Sequence, residues 1–343
     1  MRRRLASAYH RGVAVRILTT GGTIASLPDP ETGAKRPAVS GQDLVASVPG
    51  LDRVSEVDVE EVAAESSWNL TPADMLRVAR RAEESLAEPG IDGIVVTHGT
   101  DTLEETAFLA DLTVRAEGPV AVVGAMRSPD ELSADGPRNL LNAVRVAAAP
   151  EARGVGAVVV MGDEIHAARW ARKLDSGLAN AFRSPRHGPI GRVMPDSLVL
   201  PWLPPRGFTV AAPEELTHEV ALVNAYPGMP SAAIDAALDS TGAAGLVVEG
   251  SGSGNVPGTA VAGIRSALER GLPVVIATRV PGGAARSGYG SPGGGEQLRE
   301  LGAVAAGPLS AGKARLLLMV LLAHGHRGET AARHVEAVVT TFQ

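Results

Sequence analysis

Two short stretches of threonine and glycine hold the residues best suited to chemistry, Thr20-Gly21-Gly22-Thr23-Ile24-Ala25 and Thr97-His98-Gly99-Thr100-Asp101-Thr102. In the first, the glycines allow a sharp turn whose backbone N–H groups stay open to a ligand. A threonine hydroxyl among such donors suits a nucleophile beside an oxyanion hole, and Thr23 has that position. The alternative is a purely structural turn between a strand and a helix. A phosphate-binding loop is disfavoured because the pattern Gly-x-x-x-x-Gly-Lys-Ser/Thr is absent.

The second stretch places the hydroxyl of Thr100 beside the carboxylate of Asp101, which can hold a substrate ammonium. A simpler role for Asp101 is to serve the terminus of the following helix. We predict that His98 is a partly buried structural residue and not a general base. Lys173 becomes a candidate base toward a threonine only if the fold carries it beneath the Thr100 loop; otherwise it is a solvated surface lysine.

Apolar, β-branched runs at residues 13–18 and 94–96 precede the two stretches, so each stretch should follow a strand. The carboxyl ends of parallel strands are where α/β sheets build their sites, and two such ends predict one pocket with two hydroxyls. After Asp101, the spacing of Thr102 and Glu105 is that of a capping box, which predicts a helix starting at once.

Strand-like and helix-like segments alternate along most of the chain, which is typical of parallel βα units. We predict strands at residues 13–19, 93–97, 120–124, 156–161, 219–224, 245–249 and 274–278, and helices at 71–86, 103–115, 137–149, 231–238, 259–270 and 311–324. Prolines at positions 201, 204, 205 and 213 mark a linker. The boundary at about residue 210 gives an N-terminal domain over 1–210 and a C-terminal domain over 211–343. The Gly-rich segment 281–295 is predicted to be a mobile loop.

Composition describes a soluble globular protein, with 45% hydrophobic residues in a chain of 343, and a net charge of −6 disfavours nucleic acid as the main partner. The arginines at positions 2–4 are a solvated terminus and not a binding patch. The absence of cysteine excludes disulfides, thiolate metal sites and a cysteine nucleophile. We find no His pair or His–Glu cluster with metal-ligand spacing. The longest apolar run, at 316–323, is too short to span a bilayer, and the cytoplasm is the default location.

Both stretches resemble the two signatures of the bacterial-type L-asparaginases. Further similarities follow in family order, at Val123-Gly124-Ala125-Met126-Arg127, Ser133-Ala134-Asp135-Gly136-Pro137 with Asn139, Phe182 with Ser184, Gly188-Pro189, Gly252-Ser253-Gly254-Asn255 and Lys313-Ala314-Arg315. The resemblance covers nearly the whole chain, and the two threonine motifs are highly specific together.

The resemblance implies a Rossmann-like N-terminal domain, a smaller C-terminal α/β domain, and homotetramers built as pairs of dimers. It implies hydrolysis of L-asparagine to L-aspartate and ammonia, without a metal or cofactor. By position, Thr23 resembles the nucleophile that attacks the side-chain amide. Thr100, Asp101 and Lys173 resemble the second catalytic set, in which Asp101 also binds the substrate amino group. The order in which the two threonines act stays open.

Several substrate contacts are implied in the same way. Ser67 falls where the family binds the α-carboxylate, and Trp68 stands where a small or amide residue is usual. Ala125 lies where the backbone often meets the departing amide. Asn255 resembles a residue that the partner subunit contributes near the site.

This chain departs from the family at the tyrosine that usually follows the first motif, because residues 27–39 contain none. The only tyrosines are Tyr9, Tyr226 and Tyr289. The partner-subunit glutamate that supports that tyrosine also has no counterpart, since the region reads Ser287-Gly288-Tyr289-Gly290. We therefore expect Tyr289 to reach a neighbouring site and supply the phenol, with an interface tyrosine as the equal alternative.

Two other functions compete with a free-standing L-asparaginase. One is the glutaminase-like subunit of a tRNA-dependent amidotransferase, disfavoured because such subunits carry an extra N-terminal domain, whereas here the first motif begins about twenty residues after Met1. The other is a non-catalytic amino-acid-binding relative, disfavoured because Thr23, Thr100, Asp101 and Lys173 are all present. The sequence does not decide between asparagine and glutamine, since one methylene changes discrimination only modestly.

Overall fold

The computed structural model describes residues 14–342 and divides them into two compact units, with the division between Ala211 and Ala212. The arginines at positions 2–4, Tyr9 and Val13 lie outside the described residues. Each unit has its own sheet and its own apolar core. The predicted α/β class, with a smaller second domain, is confirmed.

The N-terminal unit is built on an eight-stranded sheet with two short ladders beside it. Its strands in chain order are β1 Ala14–Thr19, β2 Ser26–Pro28, β3 Lys35–Pro37, β4 Glu56–Glu61, β5 Ile91–Thr97, β6 Val120–Val123, β7 Ala157–Met161, β8 Glu164–Ala167, β9 Arg172–Lys173, β10 Phe182–Arg183, β11 Gly191–Val193 and β12 Leu198–Val199. The large sheet has the order β12-β11-β8-β7-β6-β5-β1-β4, while β2 pairs with β3 and β9 with β10.

The large sheet is mixed, with the parallel strands that the alternating pattern predicted and an antiparallel part beside them. Strands β4, β1, β5, β6 and β7 run parallel to one another. From β8 onward the pairing is antiparallel. The parallel strands β6 and β7 are buried along their whole length, which is why they read as continuous apolar runs. Strands β8 to β12 have only two to four residues each, too few for a periodic signal.

The helices of this unit are α1 Gly41–Ala46, α2 Pro72–Ala87, α3 Leu103–Thr113 and α4 Gly136–Ala147. Helix α2 begins with a reciprocal capping box between Thr71 and Asp74, with proline at the first helical position. The capping box predicted for α3 is wrong. The backbone of Thr102, at φ −120° and ψ 17°, is not in the extended conformation of a cap, and its side chain makes no capping hydrogen bond. Its hydroxyl instead donates to the carbonyl oxygen of Ser67 at 2.8 Å.

The C-terminal unit has a parallel sheet of β13 Val220–Asn224, β14 Gly245–Gly250, β15 Val274–Thr278 and β16 Val304–Ala305, in that order. Its helices are α5 Ala232–Thr241, α6 Val261–Glu269, α7 Gly295–Glu300, α8 Ala311–Ala323 and α9 Gly328–Thr340. The Gly-rich segment forms no regular element before α7, yet hydrogen bonds hold it. The N–H of Ala285 donates to Gly307 at 2.8 Å, and that of Arg286 donates to Ser253 at 3.0 Å.

Across residues 14–342, none of the helices is both long enough and apolar enough to cross a membrane. Helix α8 is the most apolar of the C-terminal unit, but its side chains are buried against the sheet.

Candidate active site

The loops that carry the two threonine motifs pack directly against each other. They follow the adjacent strands β1 and β5, whose last residues, Thr19 and Thr97, are paired in register. A Cβ placed on Gly22 would lie 2.3 Å from the backbone nitrogen of Gly99, so only glycine permits this approach. The hydroxyl of Thr20 donates to the carbonyl oxygen of Thr97 at 2.9 Å and ties the two strand ends together.

Thr23 is the first residue of a 3-10 turn, Thr23–Ala25, and is partly exposed. The carbonyl of Gly22 is fixed by the N–H of Ala25 at 3.0 Å and by the hydroxyl of Ser26 at 2.8 Å. Within residues 14–342, no hydrogen bond engages the Thr23 hydroxyl. A rigid turn therefore presents a hydroxyl that is open to a ligand.

Lys173 joins the two polar residues of the second motif. Its Nζ lies 2.8 Å from Oγ1 of Thr100 and 2.6 Å from Oδ1 of Asp101. Thr100 is buried, whereas half of the Asp101 side chain is exposed to solvent. A lysine ammonium has only donors, so Nζ donates in both contacts. The Thr100 hydroxyl then accepts from Lys173 and keeps its own proton for a further acceptor.

The short ladder of β9 and β10 brings Lys173 to this place, since Lys173 pairs with Phe182. Its backbone N–H donates to Oε2 of Glu104 at 2.7 Å. Sequence reasoning missed Glu104, because the capping-box spacing after Asp101 assigned a role only to Glu105. The available signal was the position of Glu104 itself, an acidic residue one helical turn after Thr100 and directly before Glu105.

Ser67 lies behind the second motif. It is 2% exposed, and its Oγ would be only 2.7 Å from a Cβ on Gly99. Its carbonyl accepts from Thr102, so the turn Ser67–Asn69 is attached to the start of α3. Trp68, the next residue, is 68% exposed and points its ring to solvent in this chain.

Ala125 is buried in the loop after β6, next to the second motif. A Cβ on its neighbour Gly124 would lie 2.9 Å from the Thr100 methyl group. The loop is held by Asp135, whose carboxylate accepts the N–H groups of Met126 at 3.1 Å and Arg127 at 2.9 Å. Asp135, part of the motif at residues 133–137, thus fixes a backbone segment beside Thr100.

His98 is fully buried, which is deeper than predicted, and burial lowers its pKa to about 4. Nδ1 lies 2.7 Å from the carbonyl oxygen of Gly99, which can only accept, so Nδ1 carries the proton. Nε2 then accepts from the hydroxyl of Thr106 at 2.8 Å. Both ring nitrogens are engaged in the interior, as a structural histidine requires.

Asn255 and Tyr289 belong to the C-terminal unit. Asn255 stabilises the loop after β14, where its Oδ1 accepts from the N–H of Gly295 at 3.3 Å. Tyr289 is 62% exposed, and its carbonyl accepts from the N–H of Glu296 at 3.1 Å. Its phenol is therefore accessible on the surface of that unit.

Chemically, the N-terminal unit offers an open hydroxyl at Thr23, a buried hydroxyl at Thr100 that contacts an ammonium, and a partly exposed carboxylate at Asp101. Among residues 14–342, no three His, Asp or Glu side chains are grouped as metal ligands. Such a set suits acyl transfer to a hydroxyl or to water.

Two family models match the chain, one for each unit. Residues 14–206 match the model described as "Asparaginase, N-terminal", and residues 219–334 match "Glutaminase/Asparaginase C-terminal domain".

Similar proteins cover most of the chain. A protein named "Probable L-asparaginase" from Deinococcus radiodurans is 39% identical over 320 residues, which are 92% of this chain and 95% of that protein. "L-asparaginase 2" from Bacillus subtilis is 37% identical over 316 residues, 90% of this chain and 82% of that protein. The crystal structure of "Probable Cytoplasmic L-asparaginase from Campylobacter jejuni" superposes with a TM-score of 0.84 at 32% identity, covering 96% of this chain and 99% of that one.

Proposed function

This chain belongs to the asparaginase family of amidohydrolases, and from that premise we propose that it hydrolyses the side-chain amide of L-asparagine to L-aspartate and ammonia. The observation that carries the proposal is the contact of Lys173 Nζ with Thr100 Oγ1 and Asp101 Oδ1, at 2.8 and 2.6 Å. It joins three of the four catalytic residues proposed in the N-terminal unit, and the fourth, Thr23, follows the glycine that packs on the same loop.

Thr23 is the proposed nucleophile. Its Oγ1 attacks the amide carbon, the carbonyl oxygen becomes an oxyanion, and the hydroxyl proton passes to the departing nitrogen, so that ammonia leaves and an ester on Thr23 remains. A water molecule then hydrolyses the ester. The same site also supports direct attack by a water molecule, with Thr23 positioning that water.

Thr100 and Lys173 are the proposed proton-transfer pair. Because Thr100 accepts from Lys173, its own proton can be donated to the substrate or exchanged with the attacking water. Oδ1 of Asp101 binds Lys173. Because half of the Asp101 side chain is exposed, its other oxygen is accessible to a substrate ammonium.

The remaining substrate contacts are proposed from position. Ser67 Oγ, packed on Gly99, would bind the α-carboxylate, and the Ala125 backbone would meet the departing amide. Trp68 would cover the substrate from the exposed rim of the same turn.

We propose a homodimer or homotetramer in which the C-terminal domain supplies Asn255 and Tyr289 to a neighbouring site. The exposed phenol of Tyr289 supports this role, since residues 27–39, directly after the first motif, contain no tyrosine. Tyr289→Phe should cut turnover strongly while sedimentation shows the same assembly. Unchanged turnover would remove Tyr289 from the proposal.

The direct test is ammonia release from L-asparagine and L-glutamine by the wild-type protein beside Thr23→Ala and Thr100→Val. Loss of release with either variant supports the assignment, and activity that survives both overturns it. A second family function, the subunit of a tRNA-dependent amidotransferase, predicts tRNA-stimulated release and a co-purifying partner. Aspartate binding by calorimetry without any ammonia release would instead identify a non-catalytic relative.

We propose a cytoplasmic location, as the name of the Campylobacter jejuni relative states for that protein. Cell fractionation with an activity assay tests it directly.

A further inference from the structure

Glu104 contacts Lys173 at the end opposite its ammonium. It lies in the first turn of α3 and is 8% exposed, and its Oε2 accepts the backbone N–H of Lys173 at 2.7 Å. Four residues earlier, Thr100 contacts the side-chain nitrogen of the same lysine. One short segment of chain, residues 100–104, therefore holds both ends of Lys173.

We propose that Glu104 is a positioning residue for the amide hydrolysis: it fixes the backbone of Lys173 so that Nζ reaches Thr100 and Asp101. The inference rests on the proposed function, because it assigns Glu104 a role through Lys173. Glu104 itself touches no reacting atom.

The ladder that carries Lys173 is short, so the hydrogen bond to Glu104 adds to the control of its backbone. Strand β9 has two residues and pairs with only two residues of β10. The lysine side chain has four rotatable bonds, so a small shift of its backbone is free to move Nζ away from Thr100. A hydrogen bond from an N–H to a carboxylate is shorter and stronger than one to a neutral acceptor.

The charges around Glu104 support the same role. Arg172 Nε lies 3.9 Å from Oε1 of Glu104, while Nζ of Lys173 lies 2.6 Å from Asp101. Two neighbouring cations thus face two carboxylates of one segment: Arg172 faces Glu104, and Lys173 faces Asp101. Oε1 of Glu104 therefore faces a cation, while Oε2 accepts the backbone N–H of Lys173.

Three variants of Glu104 separate positioning from charge and packing. Glu104→Met keeps the length and removes the acceptor, Glu104→Gln keeps an acceptor, and Glu104→Asp keeps the charge but retracts it. We expect Glu104→Met and Glu104→Asp to lower kcat for L-asparagine at least about tenfold with KM changed less than about threefold, because displacement by about 1 Å can cost up to 10²-fold in rate. Glu104→Gln should recover most of the rate.

The matched control is Glu83→Met. Glu83 also accepts backbone N–H groups, from Arg115 at 2.8 Å and Ala116 at 3.0 Å, but at the other end of α3. Because Glu83→Met removes these hydrogen bonds away from the site, it should lower the melting temperature without changing kcat. If kcat of Glu104→Met stays within about threefold of the control, or if the Gln and Met variants lose rate equally, the inference is overturned. Should Glu104→Met fail to fold, Glu104→Asp gives the same decision.

Lys173→Met separates this inference from the proposed function. If Glu104 acts through Lys173, the double variant Lys173→Met/Glu104→Met is no slower than Lys173→Met alone. Additive losses overturn the positioning role while the proposed function stands. Wild-type kcat in Lys173→Met overturns the proposed catalytic set itself.

Discussion

Replacing Gly22 by alanine tests whether the close approach of the two motif loops is needed. Gly22 has φ of +92° and ψ of 179°, a backbone region that side chains avoid. The added Cβ would lie 2.3 Å from N and 2.4 Å from Cα of Gly99. Because ordinary carbon contacts begin near 3.5 Å, one loop must move by about 1 Å.

The size of the effect follows from two separate terms. Backbone strain costs about 1–3 kcal/mol, and forcing the packed loops apart costs about 1–3 kcal/mol more. A displacement of about 1 Å between Thr23 and Thr100 should lower kcat/KM about 10²-fold. Gly22→Ala is therefore expected to lose 2–6 kcal/mol of unfolding free energy, roughly, together with nearly all ammonia release.

Gly90→Ala is the matched control, since Gly90 has the same φ of +92° but no atom within 4 Å of its added Cβ. It should show the strain alone, about 1–3 kcal/mol, and full activity. Urea unfolding and ammonia release are measured on both. The reasoning is refuted if Gly22→Ala matches Gly90→Ala in unfolding free energy and keeps kcat/KM within about threefold.

Three further predictions concern residues around the site. Thr71→Ala removes the capping box with Asp74 and should lower the unfolding free energy by about 1 kcal/mol in urea, with kcat unchanged; a change below about 0.3 kcal/mol would contradict the capping role. The pKa of His98 in the folded protein, about 4, lies below the unfolded value of 6.5, so the unfolded state binds the proton first. Stability should fall as the pH drops from 6.5 toward 4, by about 3 kcal/mol in total, and His98→Gln should show a shallower fall in urea titrations across that range. Asp135→Ala frees the backbone N–H groups that hold the Ala125 loop and should lower kcat/KM about tenfold in the ammonia assay, whereas unchanged kinetics would show that the loop holds itself.

The parts of the fold that the sequence predicted are those with local causes. The β-branched runs predicted β1 and β5, and the helix predicted over residues 71–86 is α2. The same reasoning failed at Thr102, whose backbone is turned away from the extended conformation of a cap and whose hydroxyl donates to Ser67, 35 residues earlier. A tertiary contact of that kind has no local signature in the sequence.

The site also divides into residues that local sequence predicted and residues that depend on tertiary contacts. Thr23, Thr100 and Asp101 follow strands and were recognisable as residues at a sheet edge. Lys173 was not, because its place beneath Thr100 depends on a two-residue ladder that no periodic pattern predicts. Only the resemblance to a family indicated Lys173. Glu104 was missed because its partner is a backbone N–H, and every residue except proline has one, so no residue type marks the contact.

The contact between Lys173 and Thr100 spans 73 residues of chain, and it has a consequence for synthesis of the protein. Both threonine motifs leave the ribosome long before Lys173, and at about 5–20 residues per second the lysine follows several seconds later. During that interval the growing chain carries its hydroxyls without the ammonium that faces them. On the proposed mechanism, an unfinished chain is inert toward the amino acids being supplied for its own translation.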